Sequence, residues 1–189
     1  MFAVISPFIP LPSFFRHPSK IHGQAHVGRV MVHALRLIEA TGWEEEAARL
    51  WAAVYLHDIE RTHDGVCQWH GENAVKRWRK QVPLQDHILS AGVIDDDIEA
   101  IELAVTLHCW PDAKLPPRDH PHWRLCALLK DADGLDRVRL GDLNPKFLRL
   151  PESAGMIDFA QALFDKSNGV IDEGEGFWDD LIRVAADVP

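Results

Sequence analysis

Apolar residues recur at helical spacing along most of this chain, and no run of alternating, β-branched residues is long enough to support a sheet. That pattern implies an all-α fold, and 189 residues suffice for a single domain with a substantial core. Ser19 is placed to cap a helix running to about Thr41 and ended by Gly42. His22, His26, Val30, His33 and Leu37 share one stripe of it. Glu44, Glu45 and Glu46 put solvated acidic charge at the start of the next helix, which ends near His57-Asp58. A loop over about 60–69 follows, then a short helix (about 72–81) opened by His70 and stopped by Pro83. The segment 95–108 reads as a helix with Ile98, Ile101, Val105 and His108 on one face. Pro111, Pro116, Pro117 and Pro121 mark the connection to a helix carrying Cys126, Leu129 and Asp133. Two segments, about 151–166 and 173–186, complete the pattern. The expected organisation is an extended arm over 1–18 and one helical bundle over 19–189. Its chemistry lies within 21–140, and the C-terminal helices fall within 151–187.

The residues that point to chemistry are His57 and Asp58. They continue the apolar stripe of Leu50 and Val54, so they face a core. His63-Asp64 repeats the dipeptide, but Gly65 follows it, and Asp-Gly marks a turn. The first pair is the ligand candidate; the second belongs to a loop. Within Lys130-Asp131-Ala132-Asp133, Asp133 shares a stripe with Cys126 and Leu129, while Asp131 is rotated roughly 200° away. Asp133 is therefore expected inside and Asp131 in solvent. A buried carboxylate needs a cation, a basic partner or a proton. His26, His57, Asp58 and Asp133 together form a mixed nitrogen and oxygen set suited to Mn, Fe, Co, Ni or Mg, or to Zn with open positions. His70 and His108 either complete a second metal site, with Asp58 as the bridge, or steer the substrate and move protons. Arg61 is a phosphate clamp or a salt-bridge partner; Lys130, Arg137 and Arg139 are further clamps near Asp133. Trp69 and Trp110 flank the two histidines, as stacking platforms for a flat group or as packing. His22 and His33 are expected to pack or to sit at the rim, and His17, His87, His120 and His122 to lie on the surface.

Net charge and cysteine spacing narrow the partners. A formal charge of -9 disfavours a nucleic-acid polymer, which needs clustered positive charge, but leaves room for a small phosphate ester. Cys67, Cys109 and Cys126 are too widely spaced for a disulfide framework or a thiolate zinc site, which fits a cytoplasmic location. The apolar opening lacks a basic start and is interrupted by Pro7, Pro10 and Pro12, so neither a signal peptide nor a membrane span is expected.

The order His26, His57-Asp58, Asp133 resembles the HD-domain superfamily of metal-dependent phosphohydrolases. The resemblance runs from about Ile21 to Asp136, roughly three-fifths of the chain, and rests on His-Val-Gly-Arg-Val at 26–30, Leu-His-Asp-Ile at 56–59 and Ala-Asp-Gly-Leu-Asp at 132–136. It implies a helical bundle of the HD type with His26, His57, Asp58 and Asp133 as ligands of one or two divalent metals. It also implies phosphate-ester hydrolysis by a metal-bound water, with a small phosphorylated substrate such as a nucleotide. His70 and His108 are similar to the extra histidines of the dinuclear branches, some of which are di-iron oxygenases. A non-catalytic sensor of metal or nucleotide is the third expectation.

Overall fold

The computed structural model describes residues 9–189. Residues 1–8 of the expected arm lie outside the described residues. Among the described residues all regular structure is helical, with no strand. The longer elements are α1 (Gln24–Thr41), α2 (Ala47–Leu56), α3 (His70–Lys80), α4 (Val82–Leu89) and α5 (Ile98–Leu107). They continue with α6 (Trp123–Leu135), α7 (Pro151–Ala154), α8 (Ile157–Ser167) and α9 (Phe177–Ala186). None is long and apolar enough to cross a membrane.

Helix α1 packs on α2 and α6, and α5 packs on α2, α3 and α6. Val27, Val30, Leu37, Leu50, Leu56, Ile101, Leu125 and Leu128 are fully enclosed between them. The C-terminal α8 and α9 cover α1. A Cβ on Gly28 of α1 would meet Phe177 Cε1 at 2.7 Å, so the missing side chain lets α9 lie close. Residues 9–18 run over this bundle with Ile9 and Phe15 buried, and the Arg16 N–H donates to the Ile59 carbonyl at 2.9 Å.

The central stretches of two helices, α2 and α6, are buried on every side. Residues 50–59 and 125–132 are enclosed without a break, and such segments carry no polar stripe to reveal which face points where. This overturns the expectation for Asp131. It is fully buried, accepting from the N–H groups of Arg149 and Leu150, from Ser153 Oγ at 2.7 Å and from Arg149 Nη1 at 2.9 Å. Asp131 thus ties the start of α7 to α6. Asp133 faces the histidines but keeps 30% of its side chain exposed at the edge of a cleft.

Local punctuation also differs at several ends. Ser19 does not cap α1; its Oγ accepts from the N–H groups of Ile21 and His22, closing a separate turn. The helix starts after Gly23, and Glu173 Oε1 from the far end of the chain takes the Ala25 N–H at 3.1 Å. Pro83 does not stop structure but sits in the first turn of α4, where its missing N–H has no helical partner to lose. Gly155 divides the segment expected over 151–166 into α7 and α8. Glu46 is buried and paired with Arg49 Nε at 3.2 Å, whereas Glu44 and Glu45 are exposed as expected. Gly42 ends α1 at a φ of 68°, as its position predicts.

Candidate metal centre

Four imidazoles are held in the same way, from four different elements. His57 and His108 follow the last residues of α2 and α5, and each folds its Nδ1–H back onto its own helix. His57 donates to the Val54 carbonyl at 2.7 Å and His108 to the Val105 carbonyl at 2.6 Å. His70, the first residue of α3, pairs its Nδ1 with the Cys67 carbonyl. His26, in the first turn of α1, pairs its Nδ1 with Asp136 Oδ2 at 2.7 Å. With every Nδ1 paired to an oxygen, every Nε2 is turned inward.

Those nitrogens converge on Asp58, which is 3% exposed. Its Oδ2 lies 3.4 Å from His26 Nε2, 3.8 Å from His57 Nε2 and 3.0 Å from His22 Nδ1. Its Oδ1 lies 3.0 Å from His70 Nε2, 3.8 Å from His108 Nε2 and 3.5 Å from Arg61 Nη1. Asp133 Oδ1 is 3.4 Å from His26 Nε2. One carboxylate therefore sits between two groups of imidazoles. Within each group two Nε2 atoms approach closely, His26 to His57 at 3.3 Å and His70 to His108 at 2.8 Å. Lone pairs facing at such distances repel unless a proton or a metal ion lies between them. Three sets here can hold a metal ion: His22, His26 and Asp58; His26, His57 and Asp133; and His70, His108 and Cys109.

The electrostatics tell the same story. Burial drives His57 down to about 3. Burial and Arg139 also press on His26, yet hydrogen bonds to Asp133, Asp136 and Asp58 raise it to about 9. Burial opposes a proton on His70, and Asp58 outweighs it, so that group is raised. Burial works to raise Asp58, but His57 and the hydrogen-bonded His108, His22 and His26 hold it well below the usual carboxylate range. Asp133 is lowered as well, against burial, chiefly by His26. The raised His26 and His70 thus favour protons that offset the carboxylates, and a divalent cation bound there would do so with greater charge.

Two residues join the cluster without having been expected there. Asp136 is fully buried; it takes Arg29 Nε at 2.6 Å and Arg139 Nη1 at 3.3 Å, and so fixes the His26 ring from behind. Its signal was the three-residue spacing from Asp133, which puts it just past the end of α6. His22, expected to pack or to sit at the rim, instead reaches Asp58 because the Ser19 turn folds it inward. His33 stays out: it is fully buried about two turns further along α1 from His26, with no hydrogen-bond partner among the described residues.

The centre opens into a cleft of about 850 Å³ lined by His22, Arg61, Cys109, Trp110, Arg139 and Phe147. Arg61 is anchored by the Gly65 carbonyl at 2.8 Å, with its Nη1 beside Asp58 and His70. Lys130 is no clamp: its Nζ donates to the carbonyls of Leu107, His108 and Trp110 and caps the end of α5. Arg137 pairs with Asp142 at the surface, and Arg139 is spent on Asp136 and the Ile21 carbonyl. Trp69 and Trp110 meet edge to face at 5.2 Å, with Trp69 58% exposed. A separate hollow of about 920 Å³, lined by Leu11, Phe14, Tyr55 and Trp178, contains none of the clustered histidines and aspartates. Comparison of the chain with protein-family models, with curated proteins and with solved structures finds no match in any of the three.

Proposed function

We propose that this chain is a metal-dependent phosphohydrolase of the HD type, acting on a small phosphate ester such as a nucleotide. The observation that carries the reading is the convergence of four Nδ1-anchored imidazoles on the two oxygens of one buried carboxylate. Oriented lone pairs with their rear protons already committed are what a metal site requires of histidine. The donor set of nitrogen and carboxylate oxygen fits a borderline divalent ion. Such an ion supplies a Lewis acid for a phosphoryl oxygen and a means of activating water near neutral pH.

The chain's own residues have separable tasks. His26, His57, Asp58 and Asp133 hold the ion, and Asp136 with Arg29 keeps His26 in register. His70 and His108 hold a second ion or share one proton beside Asp58 Oδ1. Arg61 presents its guanidinium edge to the cleft from a fixed stem, where it meets the charge of a phosphate oxygen. The chain carries a net charge of -9, so the arginines lining the cleft give an anionic substrate its favourable approach.

Elemental analysis of protein purified without chelators, followed by a screen of phosphate esters with Mn or Co, tests the reading. One or two metal equivalents and phosphate release are expected. Metal-free protein that stays inactive with every ion overturns it. Oxygen consumption with bound iron and no phosphate release would assign the same centre to oxygenase chemistry.

A further inference from the structure

The three cysteines, all free, have different surroundings. Cys126 is enclosed by the core, 1% exposed, as a small apolar side chain would be. Cys109 directly follows His108, is half-buried and lines the cleft. Its sulfur and one ring nitrogen each of His70 and His108 all lie within 4.8 Å of one another. Asp58 Oδ1 adjoins both histidines, at 3.0 and 3.8 Å. The two imidazoles and the carboxylate are more than nine-tenths buried, and both rings are fixed from behind. Gly71 makes the approach possible, since a Cβ there would strike the Val105 carbonyl at 2.1 Å.

We propose that Cys109 is a thiolate ligand, completing with His70, His108 and Asp58 Oδ1 a second site that takes a thiophilic divalent ion such as Zn²⁺ or Co²⁺. The inference rests on the reading of the cluster as a metal centre. It divides that centre by hardness. His26, His57, Asp58 and Asp133 offer only nitrogen and oxygen, whereas sulfur biases the second set away from Mg and Mn. The Cys109 thiol now donates to the Gln68 carbonyl at 3.1 Å. On binding, the S–H bond breaks, its proton leaves to solvent, the sulfur pair forms the bond to the cation, and nothing is oxidised or reduced.

Cobalt titration of the chelator-treated full chain reads this directly, because thiolate-to-cobalt charge transfer absorbs in the near ultraviolet and nitrogen or oxygen ligation does not. The band is expected in the wild type, in C67S and in C126S, and is expected to vanish in C109S. Alkylation of Cys109 by iodoacetamide, read by mass spectrometry on the wild type, is expected to slow when Zn²⁺ or Co²⁺ is bound. This second readout stands even if C109S does not fold. A wild type that binds two cobalt ions without the band overturns the thiolate ligand alone. So does a band that survives in C109S or disappears in C67S, or alkylation that the ion does not slow. A wild type that binds no cobalt at all overturns the metal-centre reading with it.

Discussion

His57-Asp58 and His63-Asp64 are one dipeptide placed in two settings, and nearly everything about them differs. The first pair follows α2 into the middle of the bundle, with His57 fully buried and Asp58 3% exposed. The second pair is exposed in the loop before α3. There His63 Nδ1 accepts the Gly65 N–H at 3.1 Å, and Asp64 bonds Ser19 Oγ. Both pairs hydrogen-bond to the chain around them. Only the first is dry: several imidazoles from separate elements enclose Asp58, whereas exposed Asp64 meets His17 Nε2 at 3.7 Å. A ligand set is therefore a property of desolvation and of convergent backbone, not of the dipeptide.

The largest contrast comes from removing each carboxylate. Asp58→Ala is expected to abolish both metal content and phosphate release while the helical circular dichroism persists; retained turnover breaks the comparison. The same contrast exists within α6 between Asp131 and Asp133. Asp131→Ala leaves three backbone or hydroxyl donors and Arg149 without their acceptor, so a loss of about 3 kcal/mol is expected in urea unfolding. Asp133→Ala is expected to cost less stability and more metal affinity, and the reverse order would refute the assignment.

Gly71→Ala sharpens the comparison inside the centre. It pushes α3 away from α5 and separates His70 from His108, with about 1–3 kcal/mol of overpacking. Loss of one metal equivalent with retention of the other is the expected result; equal retention of both would show that the pair tolerates the shift.

His33 supplies a buried histidine with no ligand role. Burial lowers it from 6.5 to about 4, so it stays neutral in the fold while the unfolded chain takes up a proton. Its contribution to stability is therefore complete above pH 6.5 and is lost as the pH falls from 6.5 toward 4, at up to about 1.4 kcal/mol per pH unit. Urea midpoints at pH 7 and pH 5 are expected to differ less in His33→Gln than in the wild type. At the small end, Asp64→Ala is expected to change stability by no more than about 0.5 kcal/mol and metal content not at all.

Amphipathic helices could be read where one face meets water. In α5, Ile98 and Ile101 pack on the core while Glu99 and Glu102 stay outside it, and the stripe shows. In α6 it does not, because 125–132 is buried all round and period alone could not rank Asp131 against Asp133. His22 and Asp136 were missed for a related reason. One lies outside α1 in a turn, and the other is held against His26 by Arg29 and Arg139, partners whose pairing with it no local pattern announces.

What the residues determined unaided was the kind of structure and the kind of atoms available: helices without strands, and histidines and aspartates at inward-facing spacings. Local periodicity carries that much, since it depends on neighbours a few positions away. Tertiary structure alone decided that Asp58 would stand between two imidazole pairs, that Lys130 would cap α5, and that Cys109 would lie beside His70. Those outcomes depend on how closely separate helices approach, and that distance is set by packing between residues far apart in the chain.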